Sequence, residues 1–410
     1  MRVYQPIARH RLAEISGLSP STVTHVVRDL REAGLVLETG TTPTGKVGRD
    51  PVQLELNGDA YNSIGVQIGD SRLIGLLLDL KSSVKRRLVV PVPQPGKIAE
   101  VLPLVAGIVE DLAREAAPLL GVGVAVAGMI DQTKGTVYAP NLHDSPVDLR
   151  EALASSLRWD VLIENEANAM LLAEQTKGAL RKRRNALCVN VGLGVGGGLL
   201  VDGQLYSGQT GSAGEIGHMV VQIDGPWCGC GSRGCLEAFS GGKAVARALR
   251  LDDAGGLGAD AILRAVEAVP DGRYHLETAA RALGIGLANA ANAFNPEIIV
   301  CGGSHFAMYR PVMETLTGAF RRHALPSNRE IPICEVGLAE PEALGAEHEG
   351  RARRPVVSFS GLRRAAPSGV DPPVCEPPSD GVGVVLERPV DPLQVGEARA
   401  VHVLVEHPGG

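Results

Sequence analysis

Apolar and polar positions follow different periods in successive parts of the chain, and these changes divide it into three segments. Up to residue 56, four apolar side chains recur at the 3.6-residue spacing of an amphipathic helix and are predicted to form one buried stripe: Val23, Val26, Val27 and Leu30. From Tyr61 onward, short apolar runs that end in glycines alternate with longer helical stretches, which is typical of sheets covered by helices. Beyond residue 350 little periodicity is left.

Two helices are predicted in the first segment. The first runs from Ile7 to Ile15. Ser19 is a good N-cap, and Pro20 suits the first helical position because its missing N–H costs nothing there. A second helix is therefore predicted to begin at Pro20 and to stop at Gly34. It presents a short polar face to solvent, made of Ser21, Thr22, Thr24, His25 and Arg28.

Two strands are predicted after this helix, at Leu35–Glu38 and Val52–Leu56. Together these elements indicate a winged helix-turn-helix, whose second helix enters the major groove of double-stranded DNA. The loop between the strands carries Lys46 and Arg49 and would be the wing, suited to phosphates or a minor groove. The alternative is a small helical hairpin used for protein contacts. Residues 1–56 carry seven Lys and Arg against six Asp and Glu, so charge does not decide between the two.

Composition and charge narrow the class of protein. The chain has 410 residues, 44% of them hydrophobic and 3% aromatic, which fits a soluble globular protein of two or three domains. No apolar run reaches the ~20 residues of a membrane span, and the N-terminus lacks the apolar centre of a signal peptide. We therefore expect a cytoplasmic protein without a membrane partner. The net charge of −6 argues against nonspecific coating of nucleic acid.

The changes of pattern predict three domains, with the boundaries 1–56, 57–349 and 350–410. The middle domain is expected to be α/β, with helices at Ile98–Leu119, Ala167–Ala179 and Leu276–Phe294. The last 60 residues contain nine of the 27 prolines. We expect this Pro-rich tail to be disordered.

One histidine and three cysteines lie within eighteen residues: His218, Cys228, Cys230 and Cys235. Three thiolates and an imidazole are the ligand set of a closed, tetrahedral structural zinc site, which leaves no position for a catalytic water. The alternative is a set of small buried cysteines, but the glycines and polar residues around them are loop composition. A disulfide is disfavoured because nothing marks the chain as secreted. We therefore predict bound Zn²⁺.

Glycine-rich turns follow three of the predicted strands. Glycine lets backbone N–H groups approach an anion closely, so such loops cradle phosphates, although tight turns need the same residues. The candidate nucleotide loops contain Gly69, Gly192, Gly194, Gly196, Gly197, Gly302 and Gly303.

Five stretches together resemble the ROK family of repressors and sugar kinases: ENEANA at 164–169, GLGVGGGL at 192–199, AGEIGH at 213–218, CGCGSRGCLE at 228–237 and NPEIIVCGG at 295–303. The resemblance runs from about Leu12 to Ala346, and the cysteine stretch is its most specific piece. It implies an α/β domain of two lobes, like those of actin and hexokinase (ribonuclease H-like). With a winged helix in front, the chain resembles the family's transcriptional regulators, because the stand-alone kinases lack that module.

The resemblance also implies a sugar site. Its hydroxyl-binding residues correspond to Asn165, Glu166, Glu215, His218 and Glu237. Carboxylates and amides suit the paired hydrogen bonds of vicinal diols, and a histidine can bind zinc through one ring nitrogen and a hydroxyl through the other. Zinc would then shape the pocket without taking part in a reaction. For Glu215 and Glu237 the alternative is a solvated surface carboxylate.

Three positions depart from the pattern of the family's kinases. Residues 67–71 are QIGDS where kinases have D-x-G-G-T, so Gln67 replaces an Asp. Glu166 replaces another Asp with a side chain one methylene longer, and Leu193 replaces the Thr of a phosphate loop. A misplacement of about 1 Å can cost ~100-fold in rate. We therefore expect no catalytic residue, no ATP or Mg²⁺ and a vestigial nucleotide loop; in a kinase, Glu166 would be the catalytic residue.

These features favour a sugar-responsive DNA-binding regulator, most simply a repressor of carbohydrate genes, whose effector is a sugar or sugar phosphate. It would bind its operator as a homodimer or a dimer of dimers. One alternative is an ATP-dependent hexose kinase of the same family. Another is a sugar-binding protein with impaired DNA binding, because the family's regulators carry a further helix before the one predicted at Ile7.

Overall fold

The first segment folds as two helices against a small antiparallel sheet. The computed structural model describes residues 4–42, 50–92, 98–116, 118–138, 146–251 and 258–352, and side chains up to residue 346. The segment contains β1 (Ile7–Ala8), α1 (Arg9–Ser16), α2 (Pro20–Glu32), β2 (Val36–Thr41) and β3 (Val52–Leu56). Its sheet has the order β1-β3-β2. Lys46, Arg49 and residues 353–410, the bulk of the predicted tail, lie outside the described residues.

The ends of α2 agree with the sequence prediction. The Ser19 side chain accepts a hydrogen bond from the Thr22 N–H at 3.1 Å, and Pro20 is the first helical residue. Gly34 follows the helix with a φ of +71°, the left-handed conformation of a helix stop. One detail of the predicted stripe is wrong. Val23 and Val27 are buried, whereas Val26 is 39% exposed, because the three-stranded sheet covers one side of this helix only.

The chain continues into a first lobe built on a five-stranded sheet. The strands are β4 (Asn62–Ile68), β5 (Arg72–Asp79), β6 (Val84–Pro91), β7 (Leu119–Val126) and β11 (Val161–Asn165), in the order β11-β7-β4-β5-β6. Helix α3 (Ile98–Ala113) packs against it. A small sheet of β8 (Met129–Asp131), β9 (Thr136–Tyr138) and β10 (Val147–Asp148) and helix α4 (Leu149–Ser156) lie between β7 and β11 in sequence.

A second lobe follows, on another five-stranded sheet. Its strands are β12 (Ala186–Val191), β13 (Val195–Val201), β14 (Gln204–Leu205), β15 (Ile298–Gly302) and β16 (Ile333–Glu335), in the order β14-β13-β12-β15-β16. Its helices are α5 (Glu166–Lys177), α6 (Glu237–Ser240), α7 (Gly242–Ala248), α8 (Ala259–Ala268), α9 (Gly272–Phe294), α10 (Met313–His323) and α11 (Pro341–Ala352).

The two large sheets share one topology. In each, three antiparallel strands come first in sequence, and two further strands then add parallel to the first of them. This arrangement confirms the predicted two-lobed α/β class. The predicted helix Ile98–Leu119 is too long, because α3 ends at Ala113 and Leu119 already begins β7. No described helix is both long and apolar enough to cross a membrane.

Two helices cross between the lobes. Helix α5 follows β11 directly but packs on the second sheet, through residues such as Met170 and Leu172. Helix α11 comes last and packs on the first sheet, where Ala343 joins a cluster with Leu76. A Cβ at Gly345 would lie 1.5 Å from the Ala169 carbonyl oxygen, so only glycine allows α5 and α11 to pass this closely. The crossing joins the two lobes beneath the cleft between them.

Glu342 is buried in this crossing and links it to the second sheet. Its side chain is 5% exposed, and its Oε1 accepts a hydrogen bond from the Asn190 Nδ2 at 3.4 Å. Burial raises the pKa of Glu342 from its ordinary 4.5 to about 7, and the negative charge of Glu340 adds to the rise. The pKa of Glu166, in the first turn of α5, is raised too, by burial and by the charges of Glu342 and Asp70.

The raised pKa of Glu342 predicts that the fold loses stability as the pH rises. The folded state keeps the proton up to about pH 7, whereas the unfolded chain releases it near 4.5, so the contribution is complete below pH 4.5 and is lost through pH 7. The Glu342→Gln variant should abolish about 3 kcal/mol of the decline in unfolding free energy between pH 5 and 8. Urea denaturation at both pH values measures it.

The exposed residue Glu330 provides the control, because its Gln variant should leave the decline unchanged. Equal declines in the Glu342→Gln variant and the wild type would contradict this assignment.

Candidate functional site

A cleft between the lobes opens to solvent. It lies where β4 and β11 end, above the first turn of α5 and beside the turn between β12 and β13. All five side chains that the sequence analysis assigned to a sugar line it: Asn165, Glu166, Glu215, His218 and Glu237. Side chains that are up to 72 positions apart in sequence therefore share one concave surface.

The histidine and the three cysteines form a tight cluster at one wall of this cleft. Their four ligand atoms all lie within 4.8 Å of one another. The Cys228 Sγ is 3.6 Å from the His218 Nδ1, and the Cys230 Sγ is 3.7 Å from the Cys235 Sγ. Burial raises the pKa of the Cys228 thiol to about 12, so this thiol stays protonated unless a cation stabilises its thiolate. The arrangement could hold one metal ion.

His218 belongs to both the cluster and the cleft. Its Nδ1 faces the thiols, whereas its Nε2 lies 3.9 Å from the Glu215 Oε2 on the side of the cleft. Glu215 precedes a 3-10 turn at Ile216–His218 that places these two side chains together. Burial raises the pKa of Glu215, the positive charge of His218 opposes the rise, and the negative charge of Glu237 adds to it.

Glu237 connects the cluster to the glycine-rich turn. Its Oε1 is 3.7 Å from the Cys228 Sγ, and its Oε2 accepts the Val195 N–H at 3.0 Å. A Cβ at Gly194 would lie 2.2 Å from that Oε2, so the glycine is needed for this carboxylate to approach the turn. Glu215 and Glu237 are both partly buried and line the cleft, rather than lying on the open surface that was the alternative for them.

Asn165 and Glu166 occupy the floor of the cleft at the start of α5. The Asn165 Oδ1 caps this helix by accepting the Ala167 N–H, and its Nδ2 donates to the Gly128 carbonyl oxygen, both at 2.8 Å. The Glu166 Oε1 accepts a hydrogen bond from the Gln67 Nε2 at 2.9 Å. The Gln67 amide therefore occupies one oxygen of the Glu166 carboxylate, which could otherwise accept a hydrogen bond from a ligand.

Asp70 is a cleft residue that the sequence analysis did not assign. The Leu193 N–H donates to its carboxylate, burial raises its pKa, and the charge of His305 lowers it. A Cβ at Gly192 would lie 3.6 Å from the Ser304 Oγ and 3.8 Å from the Asp70 Oδ2. This carboxylate thus lies between the two glycine turns. The sequence carried the signal, because Asp70 stands at the second glycine of the D-x-G-G-T pattern.

The candidate nucleotide glycines separate into two groups. Three line the cleft: Gly192, Gly194 and Gly196. The other four are not part of the described lining, and each packs closely against neighbouring protein atoms: Gly69, Gly197, Gly302 and Gly303. Other cleft residues that the sequence analysis missed are Met129, Tyr138 and Asn190. Met129 and Tyr138 belong to the small sheet of β8 to β10, which no motif marked.

The predicted DNA-contact side chains of α2 are all exposed: Ser21, Thr22, Thr24, His25 and Arg28. Several bond within their own helix, such as Thr24, whose hydroxyl donates to the Pro20 carbonyl oxygen at 2.8 Å. Arg28 pairs with Asp29 at 3.1 Å and with Glu32 at 3.8 Å. Such exposed ion pairs are weak, so Arg28 is available to an anionic partner.

Known proteins resemble this chain over most of its length. The xylose repressor of Bacillus subtilis is 31% identical over 76% of this chain and 82% of its own length. The glucokinase of Streptomyces coelicolor is 30% identical over 68% of this chain and 92% of its own length. A solved ROK family transcriptional regulator, a homologue of the Escherichia coli MLC protein, has the same fold over 88% of this chain and 96% of its own, with a TM-score of 0.68 and 23% identity.

The ROK family model matches residues 63–344, which comprise both lobes and end within α11. This range contains the cleft, the cysteine cluster, helix α5 and the first turn of α11. The chain belongs to the ROK family.

Proposed function

We propose that this chain is a sugar-responsive transcriptional regulator, in which the cleft binds a sugar and the N-terminal segment binds operator DNA. The observation that carries the proposal is that two backbone amides of the turn between β12 and β13 are already hydrogen-bonded to carboxylates of the chain itself. Asp70 and Glu237 accept the Leu193 and Val195 amides, which a nucleotide phosphate would otherwise use. The cleft keeps its hydroxyl-binding side chains while its phosphate cradle is filled. Similarity to the Bacillus subtilis xylose repressor supports the same function.

In the proposed complex, the carboxylates of the cleft accept hydrogen bonds from sugar hydroxyls. Glu166, Glu215 and Glu237 are the acceptors, the Asn165 amide adds a donor, and the His218 Nε2 faces one further hydroxyl. The five side chains come from both lobes, so a sugar between them favours a closed cleft. A ligand shifts such an equilibrium only through its different affinities for the two states.

The metal of the cluster is proposed to be a structural zinc ion. Zn–S bonds of about 2.3 Å and a Zn–N bond of about 2.0 Å in a tetrahedron place two sulfurs about 3.8 Å apart and a sulfur and a nitrogen about 3.5 Å apart. Here the Cys230–Cys235 sulfurs are 3.7 Å apart, the Cys228 sulfur is 3.6 Å from the His218 Nδ1, and all four ligand atoms lie within 4.8 Å of one another. With four protein ligands the ion has no open position. Its role is to fix the His218 ring, and through it the wall of the cleft.

The proposed DNA-binding domain comprises residues 1–56, with α2 as the recognition helix. Its exposed polar face fits a major groove, and Arg28 is suited to guanine. We propose a homodimer, or a dimer of dimers, in the cytoplasm, whose two recognition helices read half-sites about one or two helical turns apart. Cleft closure would then change the relative placement of the two helices.

A ROK sugar kinase is the second candidate function, because the Streptomyces coelicolor glucokinase matches along 92% of its length. A kinase needs a base near the attacking hydroxyl, Mg²⁺ on the phosphates and a backbone cradle for them. Here the Gln67 amide occupies one oxygen of Glu166 and Asp70 lies at the cradle. These contacts favour the regulator.

The purified chain is expected to form no sugar-dependent ADP when it is mixed with Mg-ATP and D-glucose or D-xylose, because the cradle amides are already paired. A coupled ADP assay measures this, and the Glu166→Gln variant gives the background. If the wild type forms ADP in a sugar-dependent way and the Glu166→Gln variant does not, the chain is a sugar kinase. The proposal of a regulator without enzymatic activity would then be refuted.

The Cys230→Ser variant should lose its metal and bind sugar at least tenfold more weakly, since residues that orient a pocket through a metal are typically worth 10–100-fold. Elemental analysis gives the zinc content per chain, and calorimetric titration gives the sugar affinity. The matched control is Cys334→Ser, which removes an exposed thiol outside the cluster. If the metal-free Cys230→Ser protein binds sugar as tightly as the wild type, the proposed role of the ion is refuted.

The Arg28→Ala variant should bind the DNA upstream of the protein's own gene roughly 10–100-fold more weakly than the wild type, because a base contact is lost. Its sugar affinity should be unchanged. Arg273→Ala is the control, since Arg273 forms a comparable exposed pair with Glu277 on α9. Gel-shift titration measures both, and wild-type DNA affinity in Arg28→Ala would argue against α2 as the recognition helix.

A further inference from the structure

The described walls of the cleft are rich in acidic groups. Four carboxylates line it: Asp70, Glu166, Glu215 and Glu237. Among the described residues, no Lys or Arg side chain lines it. The remaining ionisable base is His218, and its Nδ1 faces the cysteine thiols at 3.6 Å. The cleft therefore has acceptors in excess and no long cationic side chain among its described walls.

Three backbone donors of the turn between β12 and β13 are also paired. The Gly192 N–H donates to the Gly194 carbonyl oxygen at 3.1 Å, and the Val195 N–H donates to the Glu237 Oε2 at 3.0 Å. Asp70 takes the Leu193 N–H between them. An anion arriving at this turn would have to displace the chain's own carboxylates.

The helix that begins at the cleft offers no anion site either. Helix N-termini attract phosphates through their unpaired N–H groups and their dipole. At α5 the Asn165 Oδ1 accepts the Ala167 N–H at 2.8 Å, and Glu166 places a carboxyl group in the first turn. Arg and Lys side chains, which usually bind phosphate in proteins, are absent from the described lining, and the amides of Ala167, Leu193 and Val195 are already occupied.

The rest of the lining suits an uncharged sugar. Tyr138 and the amides of Asn165 and Asn190 supply further polar groups, and Ile68 and Met129 add apolar surface. A free sugar presents hydroxyl donors to carboxylate acceptors and C–H groups to apolar side chains, which matches this mixture.

We infer that the effector of this chain is an unphosphorylated sugar, and that the carboxylates of the cleft exclude sugar phosphates as well as nucleotides. This inference rests on the proposed function and fixes the charge class of its ligand. A phosphate monoester carries close to two negative charges at neutral pH, and in this cleft it would meet acidic side chains and paired amides, with no Lys or Arg side chain among the described lining. Free sugar is recognised and its phosphate is rejected.

Calorimetric titration of the full, metal-loaded chain compares each sugar with its terminal phosphate: D-glucose with D-glucose 6-phosphate and D-xylose with D-xylose 5-phosphate. The free sugar of at least one pair should bind, and its phosphate should bind at least about a hundredfold more weakly. Raising the salt from about 0.05 M to about 0.5 M should narrow this gap, because salt screens the repulsion.

The Asp70→Asn variant tests the cause of the discrimination. It removes one negative charge while keeping the size of the side chain, and should narrow the gap between sugar and phosphate by about tenfold. Asp202→Asn is the matched control, because it makes the same change on an exposed residue outside the cleft lining. It should leave the gap as it is in the wild type.

The possible results separate the two levels of the claim. A phosphate that binds as tightly as its free sugar, or more tightly, overturns the inference while leaving a sugar-binding regulator in place. The electrostatic cause is overturned if the Asp70→Asn variant binds sugar and keeps the full difference in affinity between sugar and sugar phosphate, and if salt does not change that difference either. If neither sugars nor their phosphates bind, the proposed function itself fails.

Discussion

The shape of the cleft depends on the His218 imidazole, which has one nitrogen in the cysteine cluster and the other at the cleft. Its Nδ1 lies 3.6 Å from the Cys228 Sγ, and its Nε2 lies 3.9 Å from the Glu215 Oε2. Glu237 repeats this double contact, since it reaches the Cys228 Sγ with one oxygen and the Val195 amide with the other. A metal in the cluster would therefore orient two walls of the cleft at once, although it would meet no ligand itself.

The same fold supports kinases and regulators in this family, so the difference must lie in local contacts rather than in topology. In this chain we propose two places for the difference. Gln67 donates to Glu166, and Asp70 accepts the Leu193 amide where an incoming phosphate would need it. In the first contact an amide occupies an oxygen of the Glu166 carboxylate, and in the second a carboxylate occupies an amide that a phosphate would use. Among the other side chains proposed to bind hydroxyls, Glu215 and His218 have neither contact.

Much of the architecture could be predicted from sequence because its signals are local. Ser19 and Pro20 marked the start of α2, and the spacing of His218 and the cysteines marked the cluster. Local signals failed where long-range packing decides. The boundary between α3 and β7 was missed because the apolar run up to Leu119 continues across it. The burial of Glu342 depends on the crossing of α5 and α11, which no sequence period reports. The sequence shows Asp70 in place of the second glycine of the D-x-G-G-T pattern. Only the structure shows that its carboxylate lies between two glycine turns.

The central claim is that sugar in the cleft and DNA at α2 are coupled in one molecule. Coupling is reciprocal, so a sugar that changes DNA affinity must have its own affinity changed by DNA in equal measure. The most direct measurement is fluorescence anisotropy of labelled upstream DNA with the full chain, repeated across a series of free-sugar concentrations. One free sugar is expected to shift the DNA dissociation constant by about 5- to 150-fold, and the shift should then saturate. A DNA affinity that stays constant while the same sugar demonstrably fills the cleft would contradict this coupling.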